Sequence, residues 1–115
     1  MITQSFANRT FQLWEYHVSH GSLLIRSPKG ANAATNIDLV FVGVEYVAAP
    51  RYLRNLEIAE PTQDELRSVE EILDKRLLAS AVHILIASGK RYPIVAAGFK
   101  VDENVNDIFD SPFDH

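Results

Sequence analysis

The run Ile37–Val47, IDLVFVGVEYV, constrains this chain more than any other segment. Val40, Val42, Val44 and Tyr46 fall on one face at period two, and Ile37, Leu39 and Phe41 on the other. A strand that is apolar on both faces has to be covered on both sides, so the run predicts a central strand, ended by Pro50. The segments around it should therefore supply cover for both faces.

Those segments read mostly as further strands. Phe11 to Val18 is aromatic and β-branched. Trp14, Tyr16 and Val18 share one face while Phe11 and Leu13 fall on the other, a change of phase that points to a bulge or to burial on both faces. His20-Gly21 fits a tight turn, and Ser22 to Arg26 a return strand. Ser27 through Asn36 is a loop of small and polar residues, and Leu56 to Ala59 a short strand. Val82 to Ala87 and Tyr92 to Val101 form a hairpin about Ser88-Gly89-Lys90-Arg91. One segment is helical. Thr62-Gln63-Asp64-Glu65 is a capping box, and Leu66, Val69, Ile72, Leu73 and Leu77 make an apolar stripe at helical spacing. The helix is expected over about 63–78, with Glu71 and Lys75 paired on its outer face. Short connections and hairpin turns give an α+β fold: a largely antiparallel sheet of about five or six strands, able to curl towards a barrel, with one main helix packed on it.

The length of 115 residues fits a single domain, 1–115. Net charge is −4, and its placement says more than its size. Five of the 15 acids, Asp102, Glu103, Asp107, Asp110 and Asp114, lie past residue 100, where no Lys or Arg occurs. The ten that remain face all 11 bases, so a near-neutral body carries an acidic C-terminal segment, 102–115. Such a distribution argues against nucleic acid as a partner, which calls for a clustered basic surface. The absence of cysteine excludes disulfides, thiolate catalysis and Cys-type zinc sites. No apolar run is long enough to span a membrane, and the N-terminal MITQSFANRT lacks the pattern of a signal peptide, so a cytoplasmic location is expected, with no membrane partner.

Reactive constellations are scarce. Glu15 and His17 share a strand face, and Asp38 is on what reads as a neighbouring strand. A pocket near these three would suit a small ligand or simple acid–base chemistry. The alternative is a polar sheet edge with a satisfied histidine. His83 lies in an apolar strand and reads as a core histidine. Gly89-Lys90 is not a phosphate loop, because Ile84 and Arg91 stand where that motif needs Gly and Ser or Thr. No Ser sits in a nucleophile elbow. The expectation is a protein without catalytic residues, metal or cofactor.

Two features suit partner binding instead. Tyr52 lies in Pro50-Arg51-Tyr52-Leu53-Arg54, which reads as a loop after a proline, flanked by two arginines, and Tyr and Arg are enriched at interface hot spots. Either Tyr52 tucks into the core or it faces a partner. The C-terminal segment mixes its acids with Val105, Ile108, Phe109 and Phe113. Those apolar residues either dock on the protein's own sheet or are presented with the acids to a basic partner, and the two are compatible.

Three segments together, LWEYHVSHGSLLIRSPK (13–29), NIDLVFVGVEYV (36–47) and GKRYPIVAAGFKVDEN (89–104), resemble small bacterial proteins that include immunity proteins of contact-dependent growth inhibition systems. The resemblance implies a stoichiometric inhibitor of a cognate toxin, of which nucleases with basic clefts are one kind. It carries no motif that transfers a functional residue. The residues expected to meet such a partner are Asp102, Glu103, Asp107, Phe109, Asp110 and Tyr52.

Overall fold

The computed structural model describes residues 1–113; Asp114 and His115, the first counted above among the tail acids, lie outside the described residues. Six strands form, β1 (Ile2–His17), β2 (Ser22–Ser27), β3 (Asn36–Val47), β4 (Tyr52–Ala59), β5 (Val82–Ala87) and β6 (Lys90–Asn104), with one α-helix, α1 (Gln63–Leu73). All pairings are antiparallel, and the sheet closes in the order β1-β2-β3-β6-β5-β4. The expected α+β fold with one main helix is what the chain adopts, and the curl goes to full closure.

Closure depends on the length of β1. Its first part, from Ile2 to Gln12, pairs with β4, and its last part, from Gln12 to His17, pairs with β2. One strand thus joins both ends of the sheet. The expected bulge falls between Leu13 and Glu15. A larger irregularity lies between Phe6 and Thr10, where Asn8 and Asn55 both have positive φ and the Asn8 amide donates to the Asn55 side chain at 2.8 Å. Asn tolerates this left-handed backbone better than most residues.

Inside the barrel, Phe11, Leu23, Ile25, Leu39, Phe41, Leu53 and Ile94 are buried together. Ile37, Leu39 and Phe41 face inward as their period predicts. Val44 departs from the expected alternation. Gly43 has φ +62°, the ladder shifts between Val44 and Tyr46, and Val44 packs with the interior instead of sharing a face with Val40. The β5–β6 hairpin turns on Ser88 and Gly89, both at positive φ, as a two-residue turn matched to strand twist requires. Gly21 turns the chain into β2 at φ +58°, and a Cβ there would approach the Val44 backbone at 3.2 Å.

Two covers lie on the outside. The helix packs Val69, Leu66 and Leu73 on Ala59, Val82, Ile84 and Val95 of β4, β5 and β6. On the other flank, Phe113 packs on Leu24, Val40 and Trp14. The capping box forms as expected, with Glu65 N donating to Thr62 Oγ1 at 3.1 Å and Thr62 N to Glu65 Oε1 at 2.9 Å. The helix is shorter than 63–78. Asp74 takes a left-handed φ of 54° and stops it, while Leu77 still packs in the same apolar cluster from beyond the helix. Freed from the helix, Lys75 pairs with Glu45 of β3 rather than with Glu71.

Candidate partner-binding surface

The acidic segment is not a free tail. Its first residues, Asp102 and Glu103, are part of β6, and residues 105–113 form a strap fixed to the barrel wall. The fixing starts with strand alternation. Ile25 points into the barrel, so Arg26 points out, and the β2–β3 register sets Asp38 directly opposite. Arg26 Nε donates to Asp38 Oδ1 at 2.6 Å and Nη2 to Oδ2 at 3.0 Å, a two-pronged pair in which Arg26 is 1% and Asp38 2% exposed.

A guanidinium has one more prong. Arg26 Nη1 donates to the carbonyl oxygens of Ile108 at 2.7 Å and Asp110 at 2.8 Å. The Trp14 ring lies beside it, 5.4 Å from centroid to Cζ. Buried charges cost little only when every polar prong is matched, and the strap backbone supplies the last matches. Side-chain amides extend the hold. Asn36 Nδ2 donates to Asn104 Oδ1 and to the Asn106 carbonyl, and Lys29 Nζ donates to the Val105 carbonyl. Within the strap, Phe109 N donates to Asp107 Oδ1 at 2.9 Å and Phe113 N to Ser111 Oγ at 3.0 Å.

The outward side differs. Phe109 is 80% and Val105 67% exposed, and Asp107 and Asp110 flank Phe109 in the open. Within this segment Phe113 docks, as one of the two expected placements has it, while Phe109, Asp107 and Asp110 are exposed. Of the residues expected to meet a partner, Asp107, Phe109 and Asp110 come together on the strap. Asp102 pairs with Asp38 on the outer face of the ladder, where it accepts from Asn104 Nδ2 at 2.8 Å. Glu103 is one residue on, hence on the opposite face of β6, where Thr35 Oγ1 donates to it.

Tyr52 is not in a loop but opens β4, 54% exposed, with Arg51 Cζ over its ring at 5.1 Å. The ladder places it in the row Tyr52, Gln12, Arg26, Asp38, Asp102. Two strand spacings, about 10 Å, separate it from Arg26, on the side away from Asp102. It belongs to the same wall as the strap but not to the acidic cluster.

Glu15 and His17 share the outer face as read, opposite Leu24 and Ser22. Asp38 does not join them. Arg26 engages both its oxygens, Asn104 Nδ2 adds a contact to Oδ2, and Leu24, Val40 and Phe113 are packed together on the same wall. His17 instead lies 6.1 Å from the Phe113 ring and bonds Ser19 Oγ. A carboxylate so engaged is not available as a base or ligand. Among the described residues no group of three or more His, Asp or Glu is placed to hold a metal ion.

His83 points into the barrel beside the stacked rings of Phe41 and Phe99, with ring centroids 5.6 and 5.4 Å away. Burial pushes its pKa below the ordinary histidine value, against a smaller opposing effect from the Ala96 backbone. Its Nε2 is buried and unpartnered. On the helix side, the Arg91 guanidinium bonded to Glu65 holds that carboxyl below the usual range.

Sequence reading missed the clamp: Arg26, Asn36 and Asn104. One signal was present. Asp38 interrupts an otherwise apolar strand, and Arg26 ends LLIR on the preceding one, so each buried charge called for the other.

Comparison of the chain with family models, with curated proteins and with solved structures returns no match.

Proposed function

We propose that this protein is a non-catalytic binding module, an immunity-type inhibitor that engages a cognate protein toxin with a basic surface through its C-terminal strap and acts in the cytoplasm. One observation carries the reading. Phe109 is 80% exposed in a segment whose neighbouring carbonyls are held by a buried arginine. A solubility tail has no use for a displayed aromatic ring, and an ordered strap loses little further freedom on binding. Aromatic anchors ringed by polar groups are the usual centre of an interface. Asp102, Asp107 and Asp110 would steer a positively charged partner and speed its encounter. A nuclease with a basic substrate cleft is the toxin type whose charge matches.

The test is capture from the native host with the full chain, comparing wild type with Phe109→Ala and with Asp107→Asn plus Asp110→Asn. The expected partner is a basic protein retained by wild type, lost with Phe109→Ala, and bound with an on-rate that falls as salt rises. A partner held equally by all three proteins would contradict docking on the strap.

A further inference from the structure

A second feature lies close to the strap's anchor, where β1 runs beside the end of β2. A cleft of about 250 Å³ opens between β1 and the loop joining β2 to β3, lined among others by Asn8, Arg9, Thr10, Gln12, Ser27 and Asn32. Among the described residues no Asp or Glu lines it, in a chain whose net charge is −4, and the charged group that does is Arg9. Nε donates to Ser27 Oγ at 2.8 Å, and Nη2 to the carbonyls of Ser27 at 2.9 Å and Thr35 at 2.7 Å. These bonds fix the guanidinium with neutral partners only, and among the described residues Nη1 has no hydrogen-bond partner.

The rim adds charge of the same sign. Thr10 pairs with Arg54 and Gln12 with Tyr52 across the β1–β4 ladder, and directly paired residues share a face. Arg54 and Tyr52 therefore stand beside the cleft, with Arg51 over the Tyr52 ring. Among the described residues neither Arg51 nor Arg54 has an ion pair. Arg9 thus lines, and Arg54 and Arg51 stand near, a polar hollow with no Asp or Glu among its described lining residues, although acids outnumber bases in the chain as a whole.

We propose that this cleft binds a small oxyanionic ligand, through a phosphate or carboxylate group. Arg9 offers its free Nη1 from a fixed position, the side chains of Thr10, Gln12 and Asn32 supply neutral donors, and Arg54 completes the charge from the rim. Planar guanidinium groups match both kinds of oxyanion. This site is separate from the strap and does not depend on a protein partner.

The experiment is an amide-resolved NMR titration of the full chain with sodium phosphate and, separately, sodium acetate, against sodium chloride at matched ionic strength. The expected result is a saturable shift with phosphate or acetate at residues 8–12 and 27–33, absent with chloride; which anion saturates tells phosphate from carboxylate. Arg54→Gln, a surface change, should weaken binding roughly tenfold with the spectrum otherwise intact. Arg9→Gln should abolish it. No saturable shift, a chloride response of equal size, or unchanged affinity in Arg54→Gln would overturn the proposal.

Discussion

The barrel is covered on two flanks by opposite means. On one, α1 lays an apolar stripe on Ala59, Val82, Ile84 and Val95, and its polar groups are satisfied locally by the Thr62–Glu65 box. On the other, the strap is held by a buried ion pair, two backbone carbonyls and a chain of asparagines, with Phe113 as its main apolar contact. An apolar seam resists loss of one contact because the rest of the stripe remains. A polar clamp fails as a unit, since removing one partner leaves the others buried and unpaired.

The largest effect should follow from breaking the clamp. Arg26→Ala leaves Asp38 as a buried, uncompensated carboxylate and is expected to cost about 3–5 kcal/mol in denaturant unfolding. It should also free the strap. Val69→Ala, the matching cut on the helix side, removes a side chain only 1% exposed and should cost about 2 kcal/mol, with the strap unaffected. Equal losses from the two would erase the contrast. Thr62→Ala removes the hydroxyl half of the capping box and should cost about 1 kcal/mol by thermal melting. Phe109→Ala, on an exposed ring, should change stability by no more than about 0.5 kcal/mol while removing partner binding.

Acid should separate the interior from the helix flank. The folded state depresses His83, so it disfavours the proton that the unfolded chain accepts. Stability is complete above the ordinary histidine value of 6.5 and falls as pH drops below it towards the depressed folded value. The Glu65 contribution is present above 4.5 and is lost as pH falls further, through its own lowered folded value. Unfolding free energy measured against pH should fall in two stages. His83→Phe should remove the upper one alone.

The two flanks also differ in how far the sequence discloses them. The helix side is local: stripe, cap and acidic first turn lie within residues 62–77, though the Asp74 stop goes unread, Ile72 is 57% exposed instead of joining the packed stripe, and Lys75 pairs with Glu45 rather than Glu71. The strap side is non-local. Arg26 and Asp38 are 12 residues apart, and the carbonyls they need lie 82 and 84 residues beyond Arg26, a distance that no periodicity encodes. The Ile2–Thr10 half of β1 escapes detection for a related reason. Most of its residues are exposed, so no alternation marks it as a strand until β4 is found beside it. Tyr52 reads as a loop residue because Pro50 precedes it and two arginines flank it, a pattern that an exposed outer face at the start of a strand shares. Glu15 and His17 share a face as the alternation of β1 implies, but no pattern discloses that Asp38, on its own strand, is engaged by Arg26 and Asn104.

The central claim is that Arg26 holds the strap as a preformed surface. Amide hydrogen exchange at Phe109 and Phe113, whose N–H groups bond Asp107 and Ser111 within the strap, tests it most directly. In wild type these amides should be protected. In Arg26→Ala, under conditions where the barrel amides of β3 and β6 stay protected, they should exchange at the rate of an unfolded chain. Strap amides that exchange freely in wild type, or that stay protected without Arg26, would contradict it.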